Sequence, residues 1–256
     1  MRILTSWKNV STPKLSRKAK MAPPKPKTAL PEMMAAMPAT ESGGNRPLTR
    51  IQREKQDAIL QAALDVFSVH GFRGTTIDMI AEGAGMSKPN LLYYFPRKEE
   101  IHRRLMARLL DTWLMPLRQM RADGDPFPEI RSYIRRKLEM ARDFPRESRL
   151  FANEMLQGAP RIREMIEIDL KNLVDEKAGV LLGWMDEGRI ARTDPYHLIF
   201  SIWATTQHYA DFDTQVTAIL GPGRGGEGRF EDAARYLEQL FLFGLSPRAR
   251  GALSPD

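Results

Sequence analysis

From Leu48 onward the apolar positions of the chain recur every three or four residues, and no segment alternates with period two. Ile59, Ala63 and Phe67, flanked by Leu60 and Leu64, form one face of a helix that Gly71 stops. Thr75-Thr76-Ile77-Asp78 has the form of a capping box, a hydroxyl with an acid three residues on, and predicts a short helix as far as Ala84. Gly83 lies inside it at a cost of roughly 1 kcal/mol against a better helix former. Gly85 then turns the chain, Ser87 is placed to cap the next helix, and Pro89 sits in a first turn where a missing N–H costs nothing. That third helix reaches only Tyr94. A longer one starts near Lys98 and carries the stripe Ile101, Leu105, Leu109, Trp113, Leu117, with Pro116 expected to kink it.

The same periodicity predicts helices near 126–143, 146–156, 160–187, 195–219 and 228–245. Asp125-Pro126 and Asp194-Pro195 open two of them with a capping Asp before a proline. Ile162, Ile166, Leu170, Val174, Leu181 and Met185 stripe one, and Phe230, Ala234, Leu237 and Phe241 the last. The expected fold is all-α, with about nine helices.

Charge divides the chain. Residues 1–53 hold 11 Lys/Arg against 2 acids, and the rest hold 28 against 30, so the net charge of +7 resides in the leading segment. Residues 1–45, rich in Met and Pro and without apolar periodicity, are expected to be a disordered basic tail. Such a tail either adds nonspecific attraction to phosphates or is merely a solvated end. The absence of cysteine excludes disulfides, thiol catalysis and Cys-ligated metals. No run approaches a membrane span, and the opening residues lack the apolar core of a secretory signal. A cytoplasmic protein is expected, held on the nucleoid when bound to DNA.

One long helix, a short helix, a Gly-containing turn and a second short helix have the layout of a helix-turn-helix domain, expected over residues 46–97. The second short helix would lie in the major groove. Lys88 supplies a cation there and Asn90 a bidentate amide. Tyr93 and Tyr94 offer hydroxyls to phosphate, and Lys98 opens a helix whose N-terminal amides suit an anion. The pattern alone equally suits a surface hairpin whose Tyr-Tyr-Phe packs in a core.

The residues themselves go further. GFRGTTIDMIAEGAGMSKPNLLYYFPRKEEI resembles the DNA-binding domain of the TetR family of bacterial regulators. Gly71, Thr75, Thr76, Ile80, Ala81, Ala84, Gly85, Ser87, Leu92, Tyr94, Phe95, Lys98 and Glu99 match the family pattern in register. The resemblance implies operator contacts from Thr75, Thr76, Ser87, Lys88, Pro89, Asn90, Tyr93, Tyr94 and Lys98. It also implies a homodimer and a ligand-binding, dimerising domain over 98–248, with 249–256 a flexible end. KNLVDEKAGVLLGWMDEGRI, DPYHLIFSIWATTQHYADF and RLFANEMLQGAP are similar to the pyrimidine-utilisation regulators of the family, which implies release from DNA by uracil or thymine and no cofactor. Another inducer, acting on efflux or other catabolic genes, is the alternative within the family. An all-α enzyme or metal-storage bundle is the alternative outside it.

Trp203, Gln207 and Ala210 share one helical face. A buried primary amide offers a donor and an acceptor in one plane, which suits a pyrimidine edge, and an indole gives a flat wall. Trp113 and Leu117 are placed to close the other side. Taken alone, the same residues suit a packed core with a satisfied amide better, and it is the family resemblance that favours the pocket. Glu154, within an apolar helix, needs a partner if buried, with Lys137 or Arg149 the candidates. It either lines the ligand site or anchors its helix. A ligand wedged near Trp113 and Pro116 is expected to tilt the long helix and so alter the spacing of the two reading heads. His197, His208 and Asp211 do not complete a metal-ligand set. GPGRGGEG follows a helix, so it is expected to be a loop rather than a dinucleotide fingerprint, and no catalytic constellation stands out.

Overall fold

The computed structural model describes residues 49–226 and 228–247. The expectations for the basic tail 1–45 and the end 249–256 lie outside the described residues. Among the described residues every regular element is helical and none is a strand.

Helix α1 (Arg50–Gly74) starts at Thr49, whose hydroxyl accepts from the Gln52 N–H while the Gln52 side chain accepts from the Thr49 N–H. Its regular part ends at Gly71, where φ of 65° is a conformation glycine adopts without penalty. Ile59, Leu60, Ala63, Leu64 and Phe67 are all buried, as the stripe requires. Helix α2 (Ile77–Gly83) begins one residue later than the capping box read from the sequence. Thr76, not Thr75, accepts from the Met79 N–H at 3.2 Å. Thr75 instead closes α1 by donating to the Gly71 carbonyl at 2.7 Å. Gly83 has a packing reason: a Cβ there would stand 3.3 Å from the Ala62 Cβ, so its absence lets α2 lie close on α1.

Gly85 (φ 63°) turns the chain into α3 (Lys88–Tyr94). Ser87 occupies the N-cap, but its hydroxyl makes no capping bond. Helix α4 (Lys98–Arg118) follows and continues two residues past Pro116. Helix α5 (Pro126–Asp143) starts on the expected proline, and α6 (Pro145–Leu156) starts one residue before the expected 146.

The helix expected from residue 160 starts later. The Ala159 and Ile162 backbones are not helical, so α7 (Arg163–Met165) begins beyond them, then passes through a π-helical turn (Ile166–Leu170) into α8 (Lys171–Asp186). Ile162, Ile166, Leu170 and Val174 recur at a strict spacing of four. Three such steps overshoot three α-helical turns by about one residue, and a π turn absorbs one residue. The long helix expected over 195–219 also breaks. Helix α9 (Pro195–Asp211) stops before the non-helical Phe212, and α10 (Asp213–Arg224) begins after it. The acids on either side are pulled to different partners, Asp211 to Ser148 and Asp213 to Arg229. The glycine-rich stretch expected as a loop is partly helical, with its kink at Gly221. Helix α11 (Arg229–Gly244) completes the described chain.

One apolar cluster unites the second half of α4 with α5, α8, α9 and α11, through Leu117, Ile130, Ile134, Leu181, Trp184, Ile202 and Leu237 among others. Helix α8 also ties down the α4–α5 connection, where Lys177 Nζ and Trp184 Nε1 donate to the carbonyls of Met120 and Ala122. The α1–α3 head is held against this body by Asp57 to Arg108 of α4 at 2.6 Å and by Asp65 to Arg146 of α6.

Candidate functional site

Helix α3 presents its first turn to solvent. Ser87, Lys88, Pro89 and Asn90 are exposed, while Leu91 and the following Phe95 anchor the opposite face in the core. Lys88 Nζ donates to Asp78 Oδ2 at 2.9 Å. Both side chains are at least half exposed, so this pair is worth at most about 1 kcal/mol and does not hold the ammonium away from a phosphate or base. Tyr93 is 72% exposed and packs edge-on against the half-buried Tyr94. Thr76 is exposed at the start of α2.

Two residues expected at the DNA surface are committed elsewhere. Thr75 is 1% exposed with its hydroxyl spent on Gly71, so it locks the end of α1 rather than reaching outward. The Lys98 ammonium donates to the carbonyls of Phe72 and Thr75 at 2.8 and 2.7 Å and lies 4.5 Å over the Phe72 ring. It satisfies carbonyls at the C-terminus of α1, where a cation is favoured. Only the N-terminal amides of α4 remain for an anion.

A buried joint stands behind Lys98. Glu154 is almost fully buried, and its partner is Arg161, not Lys137 or Arg149. Glu154 Oε1 accepts from the Arg161 N–H at 3.0 Å and Oε2 from Arg161 Nη1 at 2.9 Å. The Arg161 guanidinium stacks on Phe72. His102 is buried edge-on to Phe67 and Phe72, with Nε2 3.8 Å from Glu154 and no hydrogen bond at Nδ1. Burial first, then the nearby Arg161 and Lys98 cations, lower its pKa to about 4. Glu154 therefore anchors its helix at the head and shares no hydrogen bond or ion pair with the other expected ligand residues.

Those others gather between α4, α5 and α9. Trp113 is buried against Phe144, and Leu117 is fully buried in the main core. Trp203 Nε1 donates to the Tyr133 hydroxyl. Gln207, half-buried one turn further along α9, makes no hydrogen bond to another described residue. Lys137 and Asp211, read from the sequence only as a candidate partner of Glu154 and as part of an incomplete metal set, stand near them. Lys137 of α5 is 4% exposed, with Nζ 5.9 Å from the Trp113 ring centre. Burial lowers its pKa to about 7, against an opposing pull from Asp211. Asp211 accepts from Ser148 Oγ at 2.6 Å, and burial raises its pKa. A signal was present, since Lys137 falls on the apolar face of Ile130, Tyr133, Ile134 and Ala141, where a lysine is out of place. One cavity of about 340 Å³ is lined by Pro128, Arg131, Ser132, Arg135, Arg136 and Glu139 and includes none of the expected ligand residues. Among the described residues no three acids or histidines converge to hold a metal. No described helix is long and apolar enough to cross a membrane.

The family model for bacterial regulatory proteins of the tetR family matches residues 59–105. The model for the C-terminal region of YcdC-like proteins matches 106–248. The chain is 47% identical over 210 residues to the HTH-type transcriptional regulator RutR of Escherichia coli K12, which spans 82% of this chain and 98% of that protein. The solved structure of AibR in complex with isovaleryl coenzyme A and operator DNA superposes with a TM-score of 0.58 at 20% identity, over 75% of this chain and 99% of that one. Salmonella enterica GusR gives 0.58 at 19% identity, over 78% of this chain and 99% of that one.

Proposed function

Because the chain belongs to the TetR family of bacterial transcriptional regulators, we propose that it represses pyrimidine-utilisation genes and leaves its operator on binding uracil or thymine. The family is one of regulators rather than enzymes, with operator DNA, a small-molecule effector and a second copy of the chain as partners. The observation that carries the pyrimidine reading is that the alignment to RutR, 47% identical overall, covers 98% of that protein and so runs on beyond the reading head. We place the protein in the cytoplasm, on the nucleoid when DNA-bound.

In this reading Ser87, Lys88, Pro89, Asn90 and Tyr93 of the head meet the major groove and its phosphates, with Thr76 and Tyr94 at the edges. A twofold dimer sets two α3 helices about 34 Å apart, one turn of DNA. Trp113, Leu117, Trp203 and Gln207 supply the walls and an amide for a flat ring. Helix α4 carries the signal, since it is pinned to the head at Lys98 and reaches the sensor at Trp113, about 22 Å along its axis. A ligand bound more tightly by one tilt of α4 than the other shifts the balance between DNA-binding and released dimers.

The alternative inducer within the family, a lipophilic compound in a greasy pocket, is disfavoured by the polar groups here: Gln207 and Lys137 would face an apolar guest without hydrogen-bond partners. The test is release of promoter DNA in a mobility-shift assay, with uracil, thymine and a lipophilic dye as inducers. Gln207→Leu keeps bulk but removes the amide, so it is expected to bind DNA normally and to need roughly ten- to a hundredfold more uracil for release. Release by the dye alone, with no response to either pyrimidine, would overturn the reading.

A further inference from the structure

Lys137 is buried with no hydrogen bond or ion pair to any other described residue, although it stands on the face of α5 that packs on α9. A lysine this buried, with only the Trp113 ring 5.9 Å from its ammonium, is costly, and proteins keep such groups where they meet something else. The nearest opposite charge is Asp211. The two interact electrostatically, yet lie beyond the 4.0 Å of an ion pair. Asp211 is not free to close that gap, because Ser148, itself fully buried on α6, donates to it. Arg149 and His208, the other basic residues that act on Asp211, are exposed.

Helical spacing puts these groups in one row. On α9, Trp203, Gln207 and Asp211 follow at steps of four, and on α5 Tyr133 and Lys137 do the same. Trp203 is bonded to Tyr133, and Ala210 shares an apolar cluster with Ala141, so Gln207 and Lys137 both lie between two cross-helix contacts. The Trp113 indole borders the Lys137 end and the Trp203 indole the other. The row thus offers a cationic donor, an anionic acceptor and an amide between aromatic walls.

We propose that Lys137 and Asp211 read the edge of a neutral, flat cyclic amide, with the ring carbonyl accepting from Lys137 Nζ and the adjacent ring N–H donating to Asp211. This deepens the pyrimidine reading, on which it rests, by naming the groups that recognise the ligand and the chemistry they require. A fatty acid or other carboxylate meets repulsion from Asp211, and a purely apolar guest leaves Lys137 without a hydrogen-bond partner and Asp211 with Ser148 alone. A cyclic amide satisfies both, because its carbonyl and N–H lie side by side.

The experiment is titration calorimetry on the full chain with uracil, thymine, 2-pyridone and 1,3-dimethyluracil, for wild type, Lys137→Met and Asp211→Asn, with melts of each protein. Wild type is expected to bind uracil at least tenfold more tightly than its dimethyl analogue, which has lost its ring N–H groups. Lys137→Met is expected to lose at least tenfold in uracil affinity without a lower Tm, since it removes an uncompensated buried charge while keeping the bulk. Asp211→Asn is expected to bind uracil more weakly and to lose most of the discrimination against the dimethyl compound, which a merely structural role would leave intact. Uracil binding equal in all three proteins overturns the Lys137–Asp211 site and leaves the pyrimidine reading standing. Binding of 2-pyridone that Lys137→Met abolishes, without binding of uracil or thymine, keeps the site and overturns the pyrimidine reading. Failure of wild type to bind uracil, thymine and 2-pyridone overturns both.

Discussion

The guanidinium of Arg161 lies 3.6 Å above the ring of Phe72 while its Nη1 donates to Glu154, so one side chain fastens α6 to the end of α1. Helix α6 thereby touches both halves of the molecule. Ser148 meets Asp211 on the sensor side, and Glu154, six residues and about 9 Å further along, holds the joint at the head. Helix α4 makes a second link from Trp113 back to Lys98. Movement at the sensor thus has two helices through which to reach the reading head.

Removing Arg161 tests the joint. Arg161→Met leaves the Glu154 carboxylate buried beside His102 with one bond, from the residue 161 N–H, and is expected to cost about 3 kcal/mol in urea unfolding. Glu154→Gln added to it removes the stranded charge and keeps an acceptor for that N–H, so the double variant is expected to recover part of the loss. A cycle showing simple additivity would mean that the pair contributes nothing as a pair.

How far the sequence revealed this joint depends on which partners are local. Apolar stripes placed α1 to α6 closely, because each helix buries the face its own periodicity defines. The Thr75-Thr76 cap was displaced by one residue because two adjacent hydroxyls compete for it, and the tertiary fold takes Thr75 to finish α1. Lys98 reads as a phosphate contact in a linear sequence. Only folding shows that it faces two carbonyls more than twenty residues upstream. The break at Phe212 has the same origin, since Ser148 pulls on Asp211 from 63 residues away. Glu154 was legible as a buried acid needing a cation. Its cation lay beyond the end of its own helix, on a loop that carries no periodicity.

His102 gives the joint a pH signature. Its folded pKa of about 4 lies below the ordinary 6.5, so as pH falls through that window the unfolded chain takes up a proton that the folded chain refuses. Stability is lost across pH 6.5 to 4, by up to about 3 kcal/mol. Glu147 and Asp211, whose carboxyls burial raises, act in the opposite sense, and Lys137 completes its own loss by about pH 7. His102→Phe isolates the imidazole, because a phenyl ring suits the edge-on cluster with Phe67 and Phe72. The variant is expected to gain on wild type as pH falls from 6.5 to 4. Parallel stability curves over that range would show that His102 does not titrate there.

Lys88 and Lys98 separate affinity from folding. Lys88→Ala is expected to weaken operator binding and reduce the salt slope by about 1, since its exposed ammonium is free to displace counterions. Asn90→Ala is expected to relax base preference at one position while leaving that slope unchanged. Lys98→Met strands two carbonyls at the end of α1 and is expected to lower stability by about 2 kcal/mol with the salt slope unchanged. A shallower slope for Lys98→Met in binding titrations across salt would return its ammonium to the DNA surface.

The dimer supplies the last test. Tyr236, Leu240 and Phe243 form an exposed apolar stripe along α11, at helical steps of four and three, and Tyr196 and Phe200 form another on α9. Side chains of this size left in water mark a surface for association. Since the chain pairs with a second copy, these two stripes are the faces expected to be covered. Leu240→Asp is exposed in a single chain, so it leaves the monomer's core intact and places a charge where the partner would pack. It is expected to sediment as a monomer with native helicity and to lose operator affinity by a hundredfold or more, because a single head holds only one half-site and the linked second contact is gone. Leu156→Asp serves as the control, an equally simple apolar-to-acid change at an exposed residue that ends α6. A dimer persisting in Leu240→Asp, with wild-type affinity for DNA, would move the interface off α11.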